Sequence, residues 1–213
     1  MKVTVYTAKG GAGKTPISVN LALEHGWNIA TNDAISILSI QDGIEEEMLL
    51  EINPHEEFPE LPDDFDVVFD LGGAISESSS ASILTAVNQS DVVIVPICND
   101  PRSIAGGLIT LREIKPLGKR MLVVATKLER TRLEPARIPI EEIEAFRGVK
   151  DSLESQGYGD IPILPLRFSR AFENIFKTGK SIETMVRAGG IEAWSYRHLA
   201  KELEAINTFI NEK

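Results

Sequence analysis

Ala8-Lys9-Gly10-Gly11-Ala12-Gly13-Lys14-Thr15 is the stretch that decides how this chain of 213 residues folds. It follows the apolar run Val3-Thr4-Val5-Tyr6-Thr7 and leads into Ile17-Ser18-Val19-Asn20-Leu21-Ala22-Leu23. The first run is β-branched and aromatic, as a buried strand should be. After the loop, Ile17 and Leu21, and likewise Val19 and Leu23, recur at helical spacing. The order is strand, glycine loop, helix. A loop ending in Gly13-Lys14-Thr15 in that setting aims backbone N–H groups into a concavity at a helix N-terminus, where the helix dipole also favours phosphate.

The residue types fit that chemistry one by one. Gly10, Gly11, Ala12 and Gly13 allow the backbone close to phosphate oxygens, Lys14 reaches the β- and γ-phosphates of a nucleotide, and the Thr15 hydroxyl ligates Mg²⁺. Lys9, at the loop's entrance, exceeds what a general P-loop requires, and a second cation there adds to charge neutralisation.

Hydrophobic residues make up 43% of the chain and charged ones 25%, a globular balance. One domain over residues 1–213 can bury about 70% of its unfolded surface, so the core needs no disulfides. No apolar run reaches membrane-spanning length and the N-terminus passes directly into a strand, so a cytoplasmic location is expected. Cys98 stands alone among Val95, Pro96 and Ile97, which predicts a buried apolar role in a reducing compartment. His25, His55 and His198 are too scattered to suggest a metal site. Net charge is −10, unevenly spread: residues 1–100 hold 3 basic against 17 acidic side chains, residues 101–213 hold 19 against 15. The acidic total argues against indiscriminate polyanion binding, while the second half retains enough cations for a local patch.

Outward from the loop, the first helix should end near Gly26, and residues 27–31 read as a short second strand closing at Asn32-Asp33. Residues 42–65, acidic and broken by Pro54, Pro59 and Pro62, predict a short helix and an irregular surface segment. Residues 65–70 form a near-continuous apolar run suited to a parallel strand buried on both faces. Asp70 ends it where a carboxylate beside a P-loop holds Mg²⁺ through water. Leu71-Gly72-Gly73-Ala74 then reads as a loop, and residues 76–82 as a turn and helix start. Strands over 91–97, 120–126 and 161–164 alternate with helices over 101–114, 140–155 and 170–176. A long amphipathic helix over 191–209 carries Leu199, Leu203, Ile206 and Ile210 on one stripe. This alternation predicts an α/β fold: a doubly wound, mostly parallel sheet flanked by helices, with ligands at the carboxyl ends of its strands.

With Lys9 included, the loop resembles the deviant Walker A motif, K-G-G-x-G-K-[ST], of the ParA/MinD family of ATPases. The likeness runs over most of the chain and is greatest to the short plasmid-partition members that lack an N-terminal DNA-binding domain. Val92-Val93-Ile94-Val95-Pro96 is similar to the family's strand ending in proline, and Asp100-Pro101 begins the following helix. Val124-Ala125-Thr126-Lys127, with Arg130-Thr131-Arg132, resembles its strand and Asp-x-Arg-Thr loop. Residues 163–173 with Gly179-Lys180-Ser181 resemble its I-P-R-x-x-x-x-x-E…G-K-P segment.

That resemblance implies a P-loop ATPase with ATP and Mg²⁺ as its cofactors. Lys14 would act within its own subunit, and Lys9 would reach the nucleotide of the partner in an ATP-bound homodimer. Residues 10–16, Thr126 and Lys127 would surround the nucleotide, and Thr15, Asp33 and Asp70 the metal. It further implies partition of plasmids or chromosomes, nonspecific DNA binding with nucleoid association, and a centromere-binding partner protein that stimulates hydrolysis. Arg167, Arg170, Lys177, Lys180 and Arg187 are the DNA-contact candidates. Two other readings stay open: a positioning or conjugation-accessory ATPase acting on a protein or membrane cargo, and a small-molecule ligase or kinase of the dethiobiotin synthetase kind. Residues 206–213 lack the basic face that anionic lipid needs, so stable membrane association is not expected.

Two departures bear on catalysis. The family's second strand ends in Asp-x-Asp-Pro-Gln, whereas this chain has Asn32-Asp33-Ala34-Ile35-Ser36. One register makes Asp33 the metal-side carboxylate and puts Ile35 where water is positioned, which predicts slow hydrolysis; a shift by two makes Asp33 the catalytic residue. Pro16 replaces a hydroxyl residue at the α-phosphate, which the first turn of a helix tolerates at the loss of one hydrogen bond, worth about 1.5–3 kcal/mol to a charged partner.

Overall fold

The computed structural model describes residues 1–33, 44–73 and 80–212. In chain order its elements are β1 (Lys2–Val5), α1 (Lys14–His25), β2 (Asn28–Thr31), β3 (Leu49–Glu51), β4 (Val67–Asp70), α2 (Ser80–Gln89), β5 (Val92–Cys98), α3 (Pro101–Ile114), β6 (Arg120–Leu128), α4 (Glu144–Ser155), β7 (Ile163–Arg167), α5 (Ala171–Thr178), α6 (Ile182–Arg187) and α7 (Gly190–Asn211). The strands form one sheet in the order β3-β2-β4-β1-β5-β6-β7, and every neighbouring pair is parallel. The expected mostly parallel sheet is therefore wholly parallel.

Strand periodicity sorts successive side chains onto two cores. Val92 and Ile94 join Val3, Val5 and Leu122 beneath α1 and the C-terminal helices, where Ile17, Leu21, Ile175, Leu203 and Ile206 cover them. Val93 and Val95 join Phe69 and Val123 on the opposite face, beneath Leu111 of α3 and Val149 and Leu153 of α4. Each fully buried aliphatic side chain contributes about 1.5–3 kcal/mol relative to exposure. Gly26 ends α1 at φ 68°, its N–H donating to the Ala22 carbonyl. Asp100 starts α3, its carboxylate accepting from the N–H groups of Arg102 and Ser103, with Pro101 in the first turn.

Three local expectations are corrected, and one helix appears that was not expected. The short helix in residues 42–65 shrinks to a 3₁₀ turn over Glu46–Met48, and Leu49–Glu51 instead adds an edge strand to the sheet. Three residues are too few to show a period of two. Pro139 precedes a 3₁₀ turn over Ile140–Glu142, so the following helix begins only at Glu144. β7 lies two residues later than its apolar run suggests, because Ile163 to Pro165 pair with Val123 to Ala125, and Arg167 pairs with Leu128 beyond a bulge. α6, one six-residue helix capped by the Ser181 hydroxyl accepting from Thr184 N–H, is too short to announce itself by periodicity. Ile35 and residues 74–79 lie outside the described residues.

Two features of the frame bear on the rest. The outer edge of β7 is blunted: Pro165 has no N–H, and the Arg167 N–H donates to the Glu202 carboxylate at 2.9 Å. Behind α1, the fully buried Asn20 ties three helices together. Its Nδ2 donates to Glu183 (2.9 Å), its Oδ1 accepts from Ile182 N–H (2.9 Å), and Asn207 Nδ2 donates to the other oxygen of Glu183 (3.0 Å). No helix among the described residues is long and apolar enough to cross a membrane.

Candidate functional site

The carboxyl ends of β1, β4 and β6 meet around the glycine loop. Gly11 and Gly13 take φ values of +75° and +93°, the left-handed region in which a side chain is strained. Gly13 also starts α1, whose first turn contains no acidic residue of its own, so the negative charge beside it comes from outside the helix, from Asp70. Lys14 is only 7% exposed and its Nζ lies 3.4 Å from the Lys9 carbonyl. Burial pushes its ammonium below the ordinary lysine range, the carboxylates of Asp70 and Asp33 pull it back up, and Lys9 pushes it down. A poorly solvated cation at a helix N-terminus is a built receptor for phosphate.

Asp70, 1% exposed, is held at both oxygens. Thr15 Oγ1 donates to Oδ2 at 2.8 Å and Ser18 Oγ donates to Oδ1 at 2.9 Å. Asp33 is half-buried at the same rim, with its N–H donating to Thr31 Oγ1 at 3.0 Å. The hydroxyl and carboxylate oxygens present fit Mg²⁺, which needs only one or two carboxylates when phosphates and water complete its shell. Among the described residues no group of three or more His, Cys, Asp or Glu forms a separate metal cage.

Thr126 lies at this site as a clamp on the loop: its Oγ1 donates to the Ala12 carbonyl at 2.7 Å. Cys98, expected as an apolar filler, instead places Sγ 3.3 Å from that hydroxyl, and is only partly buried. Lys127 follows with a φ of +54°, the one non-glycine positive φ among the described residues. Beside the loop, a cavity of about 200 Å³ is lined by Pro16, Lys127, Arg170 and the phenylalanines 168, 172 and 176. Pro16 thus lies between the glycine loop and an aromatic-lined recess.

Lys9 is half-buried, its Nζ donating to the neighbouring Gly10 carbonyl at 3.0 Å. Of the five candidate DNA contacts, two are internally paired. Arg167 Nε donates to Glu202 at 2.8 Å, and Arg187 Nη1 to Glu24 at 2.7 Å, so much of each charge is already compensated. Arg170, Lys177 and Lys180 are exposed.

One glycine lies in a loop the sequence reading had singled out, and a second, Gly106, escaped that reading. A Cβ at Gly73 would stand 2.8 Å from Gly10 N and 2.9 Å from Lys14 Nζ, so the backbone after β4 lies directly on the phosphate loop. A Cβ at Gly106 would stand 2.9 Å from Lys9 Cβ, and Thr110 one turn on accepts from Ala8 N–H at 2.9 Å, packing α3 against the loop's entrance. Only the Gly-Gly pair at 72–73 was a signal, and it reads equally as a flexible turn.

No protein-family model and no curated protein sequence matches the chain. Its fold is similar to solved structures along nearly their whole length. The ATP complex of a McdA point variant from Cyanothece superposes with a TM-score of 0.64 at 13% identity, covering 100% of this chain and 97% of that one. A candidate plasmid partition protein from Borrelia burgdorferi bound to AMPPNP gives 0.61 at 13% identity, covering 97% and 96%. The cell division ATPase MinD of Pyrococcus furiosus gives 0.60 at 15% identity, covering 96% and 99%. At these identities the likeness shows the fold, which is that of ParA/MinD-type P-loop ATPases.

Proposed function

We propose that the chain is a Mg²⁺-dependent ATPase that works as a dimerisation switch. The observation that carries this reading is the buried Lys14 at a helix N-terminus, beside the Thr15–Asp70 pair. Lys14 and the N–H groups of residues 10–15 would hold the β- and γ-phosphates, and the recess beside Pro16 and Phe168 the adenine. Thr15 and Asp70 would hold Mg²⁺, which supplies charge neutralisation between the phosphates. Hydrolysis adds water to the γ-phosphorus and breaks its bond to the bridging oxygen, releasing ADP and phosphate. Asp33 would either orient that water or support the metal, and the metal-side register accords with slow turnover.

Two triphosphates brought face to face repel unless cations lie between them. Lys9 is the residue placed for this: leaving the Gly10 carbonyl, its ammonium would reach the nucleotide of a second subunit. The cargo we propose is nonspecific DNA in plasmid or chromosome partition, with a second, centromere-binding protein stimulating hydrolysis. Exposed Arg170, Lys177 and Lys180 support it. The internal pairing of Arg167 and Arg187 favours the second reading, a positioning ATPase whose cargo is a protein.

Sedimentation with ADP, ATP and a nonhydrolysable analogue, with and without nonspecific DNA, tests both. Dimers with ATP alone, and DNA bound only by them, are expected. Lys9→Ala should stay monomeric while still binding ATP; ATP-dependent dimers of that variant would overturn the crossed-lysine reading. A dimer that ignores DNA would shift the cargo to protein.

A further inference from the structure

A second cavity, of about 690 Å³, lies between α7, the outer edge of β7 and the loop over residues 130–141. Arg167 is the one lining residue it shares with the recess beside the phosphate loop. In a protein of net charge −10, this cavity is lined by Arg130, Arg137, Arg167, Arg197 and Lys201 against only Glu141 and Glu202. Glu202 is already engaged by Arg167, which leaves four cations facing one carboxylate.

Those cations are positioned without being neutralised. Arg130 donates from Nη1 to the Ala136 carbonyl (2.6 Å) and from Nη2 to the Ile138 carbonyl (2.9 Å), contacts that fix the guanidinium, while Glu134, which does not line the cavity, compensates part of its charge. Arg197 Nη1 donates to the Trp194 carbonyl at 2.9 Å, and its guanidinium carbon lies 4.3 Å from the centre of the Trp194 ring. Arg137 and Lys201 make no hydrogen bond or ion pair among the described residues and are exposed. His198 sits among them; desolvation, then Arg167, Arg197, Lys201 and Arg130, hold its imidazole below the ordinary range. A positive potential in a concave wall concentrates anions.

The geometry narrows the anion. An added peptide strand finds no ladder on β7, because Pro165 lacks an N–H and that of Arg167 is taken by Glu202. A rigid duplex reads protruding cations, whereas a recess of this size falls within the range of small-molecule sites, roughly 300–1,000 Å³. Several guanidinium forks around one space suit phosphate oxygens.

We propose that this cavity is a second anion site, separate from the phosphate loop, that takes a small multiply phosphorylated ligand. Its occupancy does not depend on nucleotide turnover at the first site.

The test is an NMR titration of the three histidines with tripolyphosphate, on the full chain saturated with ADP and again on Lys14→Ala, so that the phosphate loop is filled in one arm and disabled in the other. In both, the His198 titration should move upward by about one pH unit as phosphate compensates the surrounding cations, while His25 and His55 stay in place. The double variant Arg137→Gln, Lys201→Gln should need at least roughly tenfold more tripolyphosphate for the same shift. Unchanged circular dichroism would show that it is folded. No movement of His198 up to saturating tripolyphosphate, an equal response in the double variant, or a response to duplex DNA at lower concentration than to tripolyphosphate would each overturn the proposal.

Discussion

Thr15 Oγ1 donates to Asp70 Oδ2 at 2.8 Å, joining the first turn of α1 to the carboxyl end of β4. Ser18 secures the other carboxylate oxygen from the next turn, so Asp70 is oriented before any ligand arrives. Removing its charge while keeping its shape should act mainly through the metal, since an amide still accepts from one hydroxyl while the other can turn to accept from its N–H. Asp70→Asn is expected to lower ATP affinity roughly tenfold or more in Mg²⁺ and to leave affinity in EDTA nearly unchanged, since hydrogen bonds to charged groups are worth about 1.5–3 kcal/mol. Calorimetric titration with and without Mg²⁺ measures both.

Gly73 touches the phosphate loop through backbone, so a methyl group there could displace the Lys14 ammonium but not the backbone of Gly10 and Lys9, each under 3 Å away. Gly73→Ala should lose about 1–3 kcal/mol of stability in urea unfolding, the usual cost of overpacking. Gly10→Ala is the control: nothing lies within 4 Å of its added carbon, and the loss should stay within about 0.5 kcal/mol. Equal losses in the two variants would remove the claim of close approach.

Thr7, fully buried just before the loop, has a hydroxyl without a hydrogen-bond partner among the described residues. Burying such a group unpaired costs about 1–3 kcal/mol. Thr7→Val keeps the shape and deletes the cost, so its thermal midpoint should rise by a few degrees. A lower midpoint would mean that this hydroxyl is partnered in solution.

Two glutamates on neighbouring helices respond to pH in opposite directions. Burial raises the Glu183 carboxyl above its ordinary 4.5, despite the donors Asn20 and Asn207; Glu24, although partly desolvated, is held below 4.5 by Arg187 and Ser181. A raised acid contributes stability below its unfolded value and loses it as pH rises through the folded one, whereas a depressed acid contributes above its unfolded value and loses it as pH falls. Glu183→Gln should accordingly improve relative to the parent between pH 4 and pH 7. Arg187→Ala should cost more at pH 7 than at pH 3. Urea unfolding at these pH values reads both slopes.

The phosphate loop, the strand before it and Asp70 were legible because each is set by local chemistry: glycines that must turn, a run that must be buried, a carboxylate that must end a strand. What the sequence concealed was distant. Glu202 lies 35 positions from Arg167 and Glu24 lies 163 from Arg187, so neither pairing has a local signature and both arginines looked available for DNA. Thr126 was placed at the nucleotide, yet its hydroxyl holds Ala12, 114 positions away. β3 and α6 were missed for a different reason, being shorter than the period by which strands and helices are read.

The knot of Asn20, Glu183 and Asn207 also sets which parts of the molecule can give way. α1 carries the phosphate loop at one end and is fastened at mid-length to α6 by two hydrogen bonds of 2.9 Å, and α6 in turn to α7 by a third of 3.0 Å. Sliding α1 toward a ligand would tear a buried carboxylate from its donors. If the loop holds nucleotide as proposed, it would serve as an anvil, stationary in the frame of the core, and adjustment on exchanging one nucleotide for another would fall to the parts beside it: the Lys9 side chain and the backbone at Gly73.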